Sequence, residues 1–192
     1  AHTRWATHGP PTEVNAHPHL DCEDRIAVVH NGIIENFKEL KDALLKRGHT
    51  FRSDTDTEVV AHLIEEEMKE GKSFRDALYA TLRVIRGAYA LVITDAERPG
   101  VIYATRVSSP LVVGIGESEH IIASDPSALL EITKNVIYLK DGDVAEIDRS
   151  RLTITDIHEK PQFAEVSRLE WTLEQAQKGD YPHFMLKEIF EG

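Results

Sequence analysis

The sequence predicts an α+β chain, a layered arrangement of antiparallel sheets covered by helices. Three observations carry this. Apolar residues recur at helical spacing between residues 36 and 85. From Ala88 onward the pattern changes to short segments rich in Val, Ile, Thr and Tyr, separated by Pro99-Gly100, Ser109-Pro110, Gly116 and Asp141-Gly142. Helices first and a run of strands afterwards argue against alternating βαβ units.

In chain order, Ala1-His2-Thr3-Arg4-Trp5 opens in what reads as a strand, without Met, and the chain is expected to belong to a longer one. The stretch up to Arg25 holds Gly9-Pro10-Pro11 and Ala16-His17-Pro18-His19, which suit a long loop and neither a helix nor a central strand. Ile26-Ala27-Val28-Val29-His30 is an apolar run ending at Asn31-Gly32, so a buried strand is expected to deliver its end residues to a site. A helix capped by Asn36 follows, with Phe37, Leu40, Leu44 and Leu45 on one face and Gly48 past its end. Phe51 falls in a brief extended piece. Ser53-Asp54-Thr55-Asp56 leads into a helix bearing Val59, Val60, Leu63, Ile64 and Met68. Ser73 with Asp76 forms a capping-box-like start to a third helix carrying Phe74, Ala77, Leu78, Leu82 and Ile85. Strands are expected at 88–94, 101–106, 111–115, 120–124, 136–140, 143–148 and 152–156, with a short helix at Pro126–Leu130. Residues 157–183 show few periodic cues, and Phe184–Glu191 suits the start of another helix.

At 192 residues one domain suffices, and 41% hydrophobic residues is ordinary for a globular protein. The net charge of −11, without any basic cluster, lacks the footprint of a nucleic-acid binder. No apolar run approaches the length of a membrane span, so no membrane association is expected and the compartment is read as cytoplasmic. The single cysteine, Cys22, excludes an internal disulfide framework and reads as an ordinary loop thiol. His2, His8, His30 and the His17-Pro18-His19 pair supply imidazoles, but neither a helical His pair nor a cysteine partner accompanies them, and no metal is expected.

Three polar groups beside strand or helix ends suit recognition of an α-amino acid. Arg4 has the fork that grips a carboxylate, Asp56 accepts from an ammonium group, and the Asn31 amide with the Gly32 N–H makes an oxyanion hole. Each has a plainer reading: Arg4 as a surface ion pair, Asp56 as a helix cap and Asn31-Gly32 as a hairpin turn.

Arg4-Trp5-Ala6-Thr7-His8-Gly9, Asn15-Ala16-His17-Pro18-His19, His30-Asn31-Gly32-Ile33-Ile34-Glu35-Asn36 and Ser53-Asp54-Thr55-Asp56-Thr57-Glu58 resemble, in order and spacing, the glutamine amidotransferase domain of the glutamine–fructose-6-phosphate aminotransferases. Arg86-Gly87-Ala88-Tyr89-Ala90, Ser108-Ser109-Pro110-Leu111, Ala123-Ser124-Asp125 and His183-Phe184-Met185-Leu186-Lys187-Glu188-Ile189 extend the resemblance over nearly the whole chain. The first blocks are shared more loosely with purine-pathway phosphoribosyl amidotransferases and asparagine synthetases. The last block favours the aminosugar family.

The resemblance implies an N-terminal-nucleophile hydrolase fold, a four-layer αββα sandwich of antiparallel sheets, here lacking its first strands and helix. It implies a glutaminase domain at 1–182 and, at 183–192, the start of a linker toward a sugar-isomerase domain of the same parent chain. The implied activity is hydrolysis of L-glutamine and transfer of the ammonia to fructose 6-phosphate, without cofactors, in a homodimeric parent. By resemblance Arg4 binds the glutamine carboxylate, and Trp5, Thr7 and His8 belong to the loop that closes over it. Asn31 and Gly32 form the oxyanion hole, and Asp56 anchors the α-amino group. The family's nucleophile is a cysteine at the mature N-terminus whose own amine acts as base, and this sequence has no such residue. As it stands the chain is therefore expected to be inactive alone, the alternative being a non-catalytic amino-acid-binding module.

Overall fold

The computed structural model describes His2 and residues 7–170. Their elements follow the expected order. Two short pieces, the 3-10 turn Glu13–Asn15 and strand β1 (His19–Leu20), precede strand β2 (Ile26–Ile34). Helices α1 (Phe37–Lys46), α2 (Glu58–Lys69) and α3 (Phe74–Val84) come next. The strands β3 (Gly87–Asp95), β4 (Ile102–Val107), β5 (Val112–Ile115), β6 (His120–Ala123), β7 (Asn135–Tyr138), β8 (Asp143–Ile147), β9 (Leu152–Asp156) and β10 (Ser167–Arg168) complete the described chain. A 3-10 helix at Pro126–Leu129 stands where the short helix was expected.

They form two antiparallel sheets, one ordered β1-β2-β3-β4-β8-β9 and the other β10-β7-β5-β6. Strand alternation explains the layers. On β2, Ile26, Val28 and Ile34 face the helices and pack with Val59, Val60, Ile64, Leu78 and Leu82, while Leu91 and Ile93 of β3 join them. The opposite face meets the second sheet through small residues, Ala90, Ala104 and Ala145, against Leu111, Val113, Ile137 and Leu139. The far side of the second sheet is closed by Leu129 and Leu169 over Val112 and Val136. Among the described residues the layers therefore run from α-helices through two sheets to the 3-10 helix.

Several details depart from expectation. The loop before Arg25 contains β1, whose two residues pair with Val28 and Ala27 and are too few to show alternation in sequence. Ser167 and Arg168 likewise pair with β7. Phe51 lies in no strand. Leu45 is 48% exposed, because the buried stripe of α1 passes through Leu44 while Phe37 and Leu40 are only partly covered. Asn36 occupies the N-cap position of α1 but makes no cap bond. Its amide instead donates to the Val84 carbonyl at 3.0 Å and accepts from the Arg86 N–H at 2.9 Å, tying α1 to the end of α3 and the start of β3. The Ser73 cap is present: its hydroxyl oxygen accepts from the Asp76 N–H. The expected linker at 183–192 lies outside the described residues.

Candidate functional site

The expectation that β2 stops at His30 and turns at Gly32 is corrected by the structure. The strand continues to Ile34, with Asn31 paired to Ala90, Gly32 to Tyr89 and Ile34 to Gly87. Gly32 does have a positive φ, +132°, but within a paired strand. A Cβ there would stand 2.1 Å from the Ala88 carbonyl oxygen, so close approach of β3 is what demands glycine. The hairpin-turn reading of Asn31-Gly32 is thereby excluded. Both residues lie exposed on the strand.

Asn31, Gly32 and Ile33 border a cavity of about 280 Å³ with Thr7, His8, Asp56, Thr57, His2, His17 and His30. The fold thus gathers Thr7, His8, Asn31, Gly32 and Asp56 from three separate stretches. Arg4 and Trp5 lie outside the described residues. A second cavity of about 260 Å³ lies between the sheets and shares His2 and Asn31 with the first. A larger hollow, about 630 Å³, takes in Arg75, Glu146 and Glu159 near β8 and β9, and no expected site residue borders it among the described residues. Arg75 there pairs with Glu146 and with Glu159.

Asp56 is buried and does not cap α2. One carboxylate oxygen accepts from the Ile34 N–H at 2.7 Å, which fixes the acid against the end of β2. The other lies 3.7 Å from Nδ1 of His8, whose ring stacks edge-on to Phe37 at 4.7 Å. Thr57 stands at the N-cap position of α2 with its hydroxyl 2.9 Å from Nδ1 of His30. Burial drives the His30 pKa down to about 4, against a smaller opposing pull from Asp56, so the ring is neutral near pH 7. Its Nε2 has no hydrogen-bond partner among the described residues. The loop itself is anchored by Asn15, which donates to the Pro10 carbonyl and accepts from the Asp54 N–H. His19 adds a contact to Thr55 at 3.2 Å.

An exposed amide, a strand glycine and a buried carboxylate bordering one cavity suit a small zwitterionic ligand with a carbonyl group. The sequence reading did not single out Thr57 and Ile33, which border the same cavity. Thr57 adjoins Asp56 at a helix start, a signal that was present but shared by most helix caps.

Cys22 is not the isolated loop thiol expected. Its Sγ lies 3.6 Å from Nδ1 of His62 and 3.8 Å from Nδ1 of His49, and it is absent from the cavity lining. These two histidines escaped the sequence reading because they have no His partner one turn away. Beside them Glu58 is buried and accepts from the backbone of Arg52 and Ser53 and from the Ser53 hydroxyl. Burial alone would raise its pKa, but these bonds and His62 outweigh it and hold it near 2.

A family model described as a glutamine amidotransferase domain matches residues 2–131. Proteins named glutamine–fructose-6-phosphate aminotransferase (isomerizing) are similar along the whole chain. The one from Thermococcus kodakarensis is 54% identical over 99% of this chain, and one from Thermus thermophilus is 53% identical over 99%. The chain spans about a third of the length of these curated relatives, 32% and 31%. Among solved structures, glutamine phosphoribosylpyrophosphate amidotransferase from B. subtilis aligns with a TM-score of 0.67 and 26% identity, over 81% of this chain and 34% of that one. An allosteric regulatory enzyme of purine biosynthesis aligns at 0.59 and 26% identity, over 69% and 28%. The fold is that of these amidotransferases, and the chain belongs to the glutamine amidotransferase domain family.

Proposed function

We propose that this chain is the glutamine-hydrolysing part of a longer, cytoplasmic, homodimeric enzyme that forms glucosamine 6-phosphate from fructose 6-phosphate and glutamine, the ammonia passing to a sugar-isomerase domain of the same parent. Residues 1–182 are the glutaminase unit, and 183–192 lead toward that second domain. The observation that carries the reading is whole-chain identity of about half to proteins bearing that name. The cavity supports it. Arg4 holds the substrate carboxylate, the Asp56 oxygen that lies toward His8 receives the α-ammonium group, and Thr7 and His8, with Trp5, form the closing loop. The Asn31 amide and the Gly32 N–H stabilise the oxygen of the side-chain amide as it gains charge.

The nucleophile is a cysteine that this sequence does not contain; its only one is Cys22. Attack of the N-terminal cysteine's thiolate on the amide carbon, with its proton carried by its own amine to the leaving nitrogen, breaks the C–N bond and releases ammonia, and water then frees glutamate from the thioester. The likeness to phosphoribosylpyrophosphate amidotransferase supports the glutaminase half alike for either acceptor, so the sugar rests on the sequence relatives.

The test is steady-state kinetics of the full-length protein. Asn31→Ala is expected to lower glutamine-dependent kcat by roughly 10²–10³, since an oxyanion donor acts mainly in the transition state. Arg4→Ala is expected to fall on glutamine KM, lowering kcat/KM roughly tenfold to hundredfold. Isomerase activity should survive both. An Asn31→Ala variant with unchanged kcat and raised KM would contradict the assigned roles.

A further inference from the structure

Away from the cavity, Cys22 in the loop between β1 and β2, His49 after α1, and His62 and Glu65 one turn apart on α2 converge so that one donor atom from each lies within 4.8 Å of all the others. The two Nδ1 atoms are 3.3 Å apart, the thiol sulfur is 3.6 and 3.8 Å from them, and Oε2 of Glu65 is 3.0 Å from each. Bonds of about 2.0–2.1 Å to nitrogen and about 2.3 Å to sulfur place the donors of a tetrahedral zinc ion about 3.3 Å apart for two nitrogens and about 3.6 Å for nitrogen and sulfur. The N–N and N–S spacings are close to those edges, while the Glu65 oxygen lies a few tenths of an ångström nearer the nitrogens than a tetrahedral edge.

The carboxylates around the two rings point the same way. His49 faces Glu65 through Nδ1 and Glu66 through Nε2, the latter at 2.8 Å. His62 faces Glu65 through Nδ1 and Glu58 through Nε2, the latter at 3.4 Å. A neutral imidazole has one N–H; given to Glu66 by His49 and to Glu58 by His62, it leaves both Nδ1 lone pairs facing Glu65, a carboxylate that already accepts from Lys69 and the Cys22 N–H. A cation at the centre removes the conflict. Each Nδ1 lone pair then ligates it, and each Nε2–H donates outward to Glu66 or Glu58, the carboxylate–histidine pairing that orients metal-bound imidazoles.

We propose that Cys22, His49, His62 and Glu65 form a structural zinc site, separate from the glutamine cavity. Thiolate, two imidazoles and a carboxylate suit zinc, and the two anionic donors balance its charge. Four protein donors fill the tetrahedron and leave no position for substrate. The site fastens the loop entering β2 to α2, while Glu58 carries the constraint to Ser53, at the start of the segment that presents Asp56.

The test is titration of the full-length protein, purified in chelator, with cobalt(II) and then zinc. One equivalent of cobalt should give a thiolate-to-cobalt charge-transfer band with the intense visible absorption of a tetrahedral site. Zinc should abolish that spectrum and raise Tm. Cys22→Ser should lose the charge-transfer band, and Glu66→Gln should keep it while weakening zinc binding roughly tenfold to hundredfold. X-ray absorption of the zinc-loaded protein should find one sulfur among four donors, and should find the same sulfur after the nucleophile cysteine is replaced by alanine, which decides the matter even if Cys22→Ser fails to fold. A missing charge-transfer band, a band that persists in Cys22→Ser, or metal binding abolished by His17→Ala with His19→Ala would overturn the proposal.

Discussion

Gly32 and His30, two residues apart on β2, are constrained for opposite reasons. At Gly32 the backbone of β3 leaves no room, so Gly32→Ala must combine an unfavourable φ with a contact against the Ala88 carbonyl. We expect a loss on the order of 3 kcal/mol or more, measured by urea denaturation. At His30 the restriction is charge. Its folded pKa of about 4 lies below the ordinary 6.5, so the unfolded state binds the proton more readily. The stability this contributes is complete above pH 6.5 and is lost as pH falls toward about 4. The gap corresponds to about 3 kcal/mol at its lower end. Unfolding free energy should decline across that window in the parent, and the decline should flatten in His30→Gln. An equal slope in both would place the acid sensitivity elsewhere.

Among the elements, α1 and α3 begin by different means. Ser73 caps α3 from within, and Ser73→Ala should cost about 1 kcal/mol, the usual value of a cap. Asn36 bonds instead to Val84 and Arg86, about fifty residues on in sequence, so its loss should loosen the α3–β3 junction and not the first turn of α1. Asn36→Ala is expected to cost about 1–2 kcal/mol for two bonds. Hydrogen exchange should then quicken around Arg86, whose N–H loses its acceptor, and not at Lys38–Lys41. Protection lost at the start of α1 instead would mean that Asn36 acts as a cap after all.

For the molecule as a whole, the distance between sheets is set by the small side chains of Ala90, Ala104 and Ala145 under Leu111, Val113 and Ile137. Ala104 is fully buried, and Ala104→Leu should cost about 1–3 kcal/mol through overpacking, read as a lower Tm. The site's composition bears on activity at the same scale. The single thiol of these 192 residues stands among His49, His62 and Glu65 and not at the cavity, so this chain alone should release no glutamate from glutamine at an enzyme-like rate. Release that Cys22→Ala abolished would overturn both the site and the nucleophile assignment.

By itself the sequence determined the α+β class, the three helices, the strand positions after Ala88 and the motif set that includes Asn31, Gly32 and Asp56. These are local signals, in which periodicity, Gly and Pro punctuation and short motifs are written in neighbouring residues. Tertiary structure alone decided the rest. It decided that β2 runs through Asn31-Gly32, because only the Ala88 carbonyl across the ladder reveals why glycine is needed. The bond from Asp56 to Ile34, the outward turn of Leu45 and the two-residue strands β1 and β10 depend on partners distant in sequence. So does the meeting of Cys22, His49, His62 and Glu65: no spacing rule joins a loop thiol to histidines 27 and 40 residues away until the chain folds back on itself.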